Sequence, residues 1–334
     1  MITLMYSFNG SYIRHHYSEK YMTIIKPPKL RKGSIIGLIA PASAPSTEEK
    51  IEKGVAYLEQ LGYRVKFGEH IRKLHGYLAG TDEERATDFN NMVLDKDVKA
   101  IFAIRGGYGT PRILQMIDYS SLKQNPKIIV GYSDITALQL AIFRKIGLVT
   151  FSGPMTGIEM WKGIDPYTEE HFWQLLTSKK KIGVLKNPND APLKILKHGK
   201  AHGRLLGGNL SMIVCLMGTP FLPKFLDSIL FLEDVEEAPH RIDRMLAQLF
   251  NAGILYGLSG LVFGKFTDCN PSNPSEPHLT VDQIQKEYAE KIKCPVIGNF
   301  QYGHIPRMLT VPIGLQAMLD SKRNRLEVLE SAVI

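Results

Sequence analysis

Short apolar runs alternate with amphipathic stretches through the first half of the chain. Residues 34–40 read as a buried strand, and Ser46-Thr47-Glu48-Glu49 reads as a capping box opening a helix that runs to about Leu61 and stops at Gly62. A strand over 63–67, a polar helix over 82–92, a strand over 99–104, a glycine turn, a helix over 110–117 and a strand ending at Val130 follow. After that last strand Ile135, Leu138, Ile142 and Phe143 recur at helical spacing, so the period changes at Gly131-Tyr132-Ser133-Asp134. This βα alternation predicts an open, largely parallel sheet covered by helices. Ligands of such sheets bind beyond the carboxyl ends of the strands. Both the turn Arg105-Gly106-Gly107-Tyr108-Gly109 and the Ser133 corner fall there.

Between about Gly157 and Lys200 the apolar period weakens while Lys, Pro and Asn accumulate, which predicts a crossing between domains. The pattern resumes at Leu205-Leu206-Gly207-Gly208-Asn209-Leu210, with strands expected over 228–232 and 260–266, a helix over 241–250, and closing strands over 309–319 and 325–329. The expected organisation is an N-terminal extension (1–28), an α/β domain (29–165), a linker (166–199) and a smaller mixed α/β domain (200–334). Met22 is a second candidate start of translation beside Met1.

Composition narrows the class. A chain of 334 residues with 44% hydrophobic and 22% charged residues is long enough for two cores. Cys215, Cys269 and Cys294 are widely spaced and form no C-x-x-C pair, which suits a reducing compartment and small core side chains. No apolar run reaches the roughly 18 residues a spanning helix needs, so the expectation is a cytoplasmic protein with no membrane partner. The net charge of +8 raises the question of nucleic acid. Its densest run, Lys179-Lys180-Lys181 with Lys186, Lys194, Lys197, Lys200 and Arg204, lacks interleaved aromatics, so a solvated connecting segment is expected, with attraction of an acidic small substrate as the alternative, and nucleic acid is not expected.

Candidate chemistry sits at three places. Ser133 stands at a strand-to-helix corner, where a hydroxyl clears the sheet beside unpaired first-turn amides; the alternative is that Ser133 or Asp134 caps the helix. The glycine turn is either a plain strand-to-helix turn or a place where the Gly107 amide meets an oxyanion; it lacks G-x-G-x-x-G, and no Walker A sequence is present. Glu233 ends the apolar run Ser228-Ile229-Leu230-Phe231-Leu232 and needs a partner, either an arginine such as Arg241 or Arg244, or a catalytic group. Glu236 and Glu237, ahead of a helix start, are explained structurally. His304, in a glycine-bracketed loop, completes a nucleophile, base and acid in the order Ser, Glu, His. His15, His16, His75 and His240 are poorer candidates, and no His/Cys spacing predicts a metal.

These residues resemble the LD-carboxypeptidase family of serine peptidases, which includes muramoyltetrapeptide carboxypeptidases and microcin C self-immunity peptidases. The likeness covers nearly the whole chain after Lys26. It rests on Ile39-Ala40-Pro41-Ala42, Arg105-Gly106-Gly107-Tyr108-Gly109, Gly131-Tyr132-Ser133-Asp134-Ile135-Thr136, Gly207-Gly208-Asn209-Leu210, Leu232-Glu233-Asp234-Val235 and Gly303-His304 with Pro312-Ile313-Gly314. The resemblance implies a glutamine-amidotransferase-like (flavodoxin-like) parallel-sheet domain and a C-terminal swivelling mixed α/β domain. It also implies Ser133 as nucleophile, His304 as base, Glu233 as orienting acid, a homodimer and no cofactor. The amides of Gly107 and Asp134 are the expected oxyanion hole. The expected reaction removes terminal D-alanine from an L,D-linked murein tetrapeptide. Two alternatives stay open: an immunity-type peptidase acting on a peptidyl-nucleotide, which needs an aromatic platform such as Trp161 or Trp173, and a non-catalytic module holding an anion.

Overall fold

The inner strands of the first sheet are buried on both faces, which is why they read as apolar runs, whereas the edge strand Arg64–Phe67 is largely exposed. In the computed structural model, residues 22–334 are described, together with the paired two-residue strands Ser7–Phe8 and Ser11–Tyr12. Most of the expected extension over 1–28 lies outside the described residues. The sheet runs in the order Arg64–Phe67, Ile35–Ile39, Val98–Ala103, Ile128–Gly131, Thr150–Ser152, all parallel. That is the flavodoxin-like order, and it reverses between Ile35–Ile39 and Val98–Ala103, where a crevice opens at the carboxyl ends. A sixth strand, Val311–Ile313, comes from far along the chain and pairs antiparallel with Thr150–Ser152. The apolar stretch expected as one closing strand over 309–319 is therefore divided: Val311–Ile313 joins the first sheet, and Gln316–Asp320 joins the second.

The second sheet has eight strands, with Lys200–Asn209, Ser228–Val235, Gly260–Thr267 and Val296–Gly298 parallel at its centre. Residues 166–199, expected as a linker, are structured. They carry the helix Pro166–Thr177, started by Asp165 and a proline in the first turn, and the strands Gly183–Val184 and Lys194–Lys197 at the two outer edges of the eight-stranded sheet. Lysines on edge strands discourage pairing with other chains. The basic run is also partly neutralised within the fold. Lys181 meets Glu327 and Lys194 meets Asp282, while Lys197 donates to carbonyls at the end of the helix Val281–Lys291.

Three local expectations change. The helix Glu48–Gln60 begins at Thr47 without a side-chain cap, and the Ser46 hydroxyl accepts from Lys50 instead. Capping boxes form at Thr81 with Glu84 and at Thr280 with Gln283. Cys269 and Cys294 are buried as small hydrophobes, but Cys215 is exposed.

The two halves meet along the helix that follows Ser133. The Asn209 amide donates to Thr136 Oγ1 at 3.1 Å, and the Ser152 and Tyr302 hydroxyls share a 2.6 Å bond. Gly208 makes this approach possible, since a Cβ there would lie 2.6 Å from the Thr136 side chain. The glycine before it, Gly207, serves the sheet itself: its φ is +146°, and a Cβ there would lie 1.9 Å from the Phe231 carbonyl oxygen on the neighbouring strand. Since that obstacle is backbone, Gly207→Ala should destabilise the protein by about 3 kcal/mol or more in urea unfolding. A stability within experimental error of wild type would contradict this packing.

Candidate active site

The strand Ile128–Gly131 delivers the chain to a corner at Ser133, whose φ is +62°. A non-glycine residue in that region is uncommon and costs on the order of 1–3 kcal/mol, which surrounding packing must hold in place. Gly106 supplies the room: a Cβ on it would sit 3.0 Å from Ser133 Cβ and 3.2 Å from its Oγ. The glycine turn thus lies directly against the serine. The capping alternative fails for Asp134, which precedes the helix Ile135–Ile146 but makes no cap bond to it. Its carboxylate instead accepts from the Thr110 amide and hydroxyl, both at 2.8 Å, tying the corner to the glycine turn. Burial pushes the Asp134 carboxyl above its ordinary range, and the Thr110 bonds only partly offset this. Among the described residues neither the Gly107 nor the Asp134 amide donates to a backbone carbonyl.

Glu233 is fully buried inside the strand Ser228–Val235, where the register against Gly260–Thr267 shifts, and among the described residues it pairs with no arginine. Arg241 goes to Glu237 at 3.6 Å, while Glu236 sits in a turn whose amide bonds to the Thr267 carbonyl. His304 Nδ1 donates to Glu233 Oε2 at 2.8 Å. A carboxylate there can only accept, so the proton rests on Nδ1 and Nε2 keeps its lone pair. Burial alone pulls the imidazole pKa down, but the bond and charge of Glu233, with Asp234 and Glu159, reverse this and hold it above the ordinary value. The His304 ring packs on Tyr132 with centroids 4.9 Å apart. The residue before Ser133 therefore flanks the histidine.

Several supporting residues had no role in the sequence reading. Asn209 Nδ2 donates to Glu233 at 3.2 Å and to Asp234 at 2.9 Å, while its Oδ1 caps the Met212 amide. Asp234 also accepts from Ser211, and burial with the neighbouring Glu233 charge pushes its carboxyl up to about 6. Glu159 is buried, accepting from the Tyr132 hydroxyl at 2.7 Å and from the Met155 amide at 2.9 Å. Asn209 lay within a quoted motif, but its bonds are long-range. Glu159 lies where the periodicity is weak and gave no signal.

Of the two tryptophans, Trp173 stacks on Tyr63 in a depression also bordered by Lys32. Those residues precede the strands Arg64–Phe67 and Ile35–Ile39, which puts Trp173 at the amino end of the sheet, away from Ser133. Trp161 lies under the Lys50 ammonium, 5.0 Å from its ring centre. Among the described residues no three His, Cys, Asp or Glu side chains are grouped as a metal site requires.

Asn209→Asp keeps the shape but replaces two donors with a third acid beside two buried ones. It should cost about 3 kcal/mol or more at pH 8, and less at pH 5, where protonation relieves the repulsion. Urea titrations at the two pH values check the size and the sign; equal losses at both would show that charge is not the cause.

The model for the LD-carboxypeptidase N-terminal domain matches residues 36–153, and that for the C-terminal domain matches residues 202–319. The chain is 39% identical over 311 residues to a probable murein peptide carboxypeptidase of Bacillus subtilis, covering 92% of this chain and 95% of that protein. The solved structure of MccF in complex with glutamyl sulfamoyl guanosine superposes with a TM-score of 0.85 at 27% identity, covering 92% of this chain and 99% of that one. A muramoyltetrapeptide carboxypeptidase from Oxalobacter formigenes superposes with a TM-score of 0.77 at 31% identity, over 88% and 98% of the respective chains. Ser133 falls within the first matched segment and Glu233 and His304 within the second, and the chain belongs to the LD-carboxypeptidase family of serine peptidases.

Proposed function

We propose that this protein is a serine LD-carboxypeptidase that removes the terminal D-alanine from L,D-linked murein tetrapeptides during cell-wall recycling, acting in the cytoplasm as a homodimer. The observation that carries the reading is the 2.8 Å bond from His304 to a fully buried Glu233, with the ring lying against the residue before Ser133. Ser133 Oγ attacks the carbonyl of the last peptide bond as His304 Nε2 takes its proton. Glu233 holds the imidazole in the required tautomer and stabilises the imidazolium. The amides of Gly107 and Asp134 receive the negative charge on the carbonyl oxygen, and losing one such donor typically costs about 2.7–4 kcal/mol. His304 then gives its proton to the leaving amine, D-alanine departs, and water hydrolyses the acyl-enzyme by the same route.

The high TM-score to MccF favours one second reading, cleavage of a peptidyl-nucleotide, with Trp161 as the aromatic surface. Incubation with murein tetrapeptide and, separately, with a glutamyl sulfamoyl nucleoside, followed by mass spectrometry, separates the two. Release of D-alanine from the tetrapeptide supports the proposal; hydrolysis of the nucleoside alone favours the second reading.

Ser133→Ala should fold normally and lose about a millionfold in turnover, as triad knockouts do elsewhere. A well-folded, active variant refutes the assignment. Glu236→Gln and Glu237→Gln should remain within about tenfold of wild type, because neither touches the histidine.

The pH profile carries a sign. A general base acts when neutral, so kcat/KM of the wild type should rise with pH along a limb lying above 6.5, the ordinary imidazole value from which His304 is raised. Glu233→Gln removes the largest of the influences that raise it, keeping those of Asp234 and Glu159 and the burial that lowers it, so the limb should move to lower pH while the rate falls by about 10,000-fold. A limb that stays in place in Glu233→Gln would show that this carboxylate does not act on the base.

A further inference from the structure

The arginines around the glycine turn are treated unequally by the fold. Arg85 is buried, its Nη1 donates to the Gly109 carbonyl, and it pairs with Asp82; Arg112 pairs with Asp82 as well. Arg105 has no acid. Its Nη1 reaches the Ala44 carbonyl at 3.3 Å, its Nε is buried without a partner, and its Nη2 lies 3.6 Å from where a Gly107 Cβ would be. Ala44 follows the strand Ile35–Ile39 and Arg105 follows Val98–Ala103, so this bond spans the crevice where the strand order reverses. The Ser43 amide donates to the Gly106 carbonyl at 3.3 Å, and the Tyr108 amide donates to Ser43 Oγ at 3.2 Å. The two loops are therefore locked together before any ligand arrives.

A half-buried guanidinium with an unsatisfied Nε is costly unless something anionic completes it, and a carboxylate fits its planar fork in bidentate fashion. The next residue, Gly106, is the one that touches Ser133. We propose that Arg105 is the specificity-determining residue that binds the terminal carboxylate of the substrate, placing the last peptide bond at Ser133. The assignment rests on the carboxypeptidase reading above. It makes the enzyme an exopeptidase by geometry: only a peptide ending one residue beyond the reacting carbonyl satisfies Arg105 while its carbonyl lies at the serine.

The test is calorimetric titration of the Ser133→Ala protein with two ligands, murein tetrapeptide ending in free D-alanine and the same peptide as its C-terminal amide. The free acid should bind more tightly by roughly 10- to 100-fold, the range of a hydrogen bond to a charged partner. Adding Arg105→Gln should remove the difference, and adding Arg105→Lys, which keeps the charge but loses the fork, should retain part of it. Melting curves check each protein; if Arg105→Gln misfolds, the reduced preference of Arg105→Lys decides the question. An undiminished preference in a folded Arg105→Gln protein overturns the assignment and leaves the carboxypeptidase reading standing. Equal binding of acid and amide by Ser133→Ala itself overturns it too. If Ser133→Ala binds neither peptide, the murein-peptide reading fails and the assignment with it.

Discussion

A carboxyl group fully buried within a largely apolar strand is the constraint around which this molecule is arranged. Burying Glu233 is costly without partners, and its partners come from two directions: Asn209 on the adjacent strand and His304 on the loop after Val296–Gly298. Asn209 serves Glu233 and Asp234 with one amide group and reaches the first domain through its own backbone. Satisfying one buried charge therefore fixes the histidine, the strand Lys200–Asn209 and the seam between the domains together. Site geometry and domain docking are one problem here.

The Ser133 corner rests on a different physical device. Ser133 occupies a left-handed corner that only tight packing maintains, and the packing comes from Gly106 and from the Asp134 bonds to Thr110. Tyr132 connects the two devices: its ring lies on His304 and its hydroxyl is held by buried Glu159. The strand Val311–Ile313, reached just after the histidine loop, crosses into the first sheet and pairs with Thr150–Ser152. The sheet order, the corner and the histidine loop thus depend on contacts made far apart in sequence.

What the sequence made legible was local. A β-branched run breaking at Gly131 and the switch to helical spacing marked the corner, and a carboxylate at the end of an apolar run marked Glu233. The histidine stood out through its glycine-bracketed loop. What was not legible depended on partners chosen across the fold. Nothing near Glu159 indicates that Tyr132 will need an acceptor, and nothing near Val311 indicates which sheet it will join. The stretch over 166–199 looked like a linker because its strands are short edges, one of them bearing lysines, and edge strands carry too little apolar signal to show a period. The capping box expected at Ser46 failed for a similar reason, since a lysine one turn on takes the hydroxyl.

The account's central claim is that Ser133 is made nucleophilic by a histidine held on Glu233. Intact-mass and peptide-mapping analysis after treatment with a fluorophosphonate, which reacts with activated serine hydroxyls, tests this without reference to any substrate. The account predicts a single adduct on Ser133, with labelling that becomes undetectable in His304→Asn while the protein stays folded. An adduct on another serine, or labelling of Ser133 that persists at the wild-type rate in His304→Asn, would contradict it.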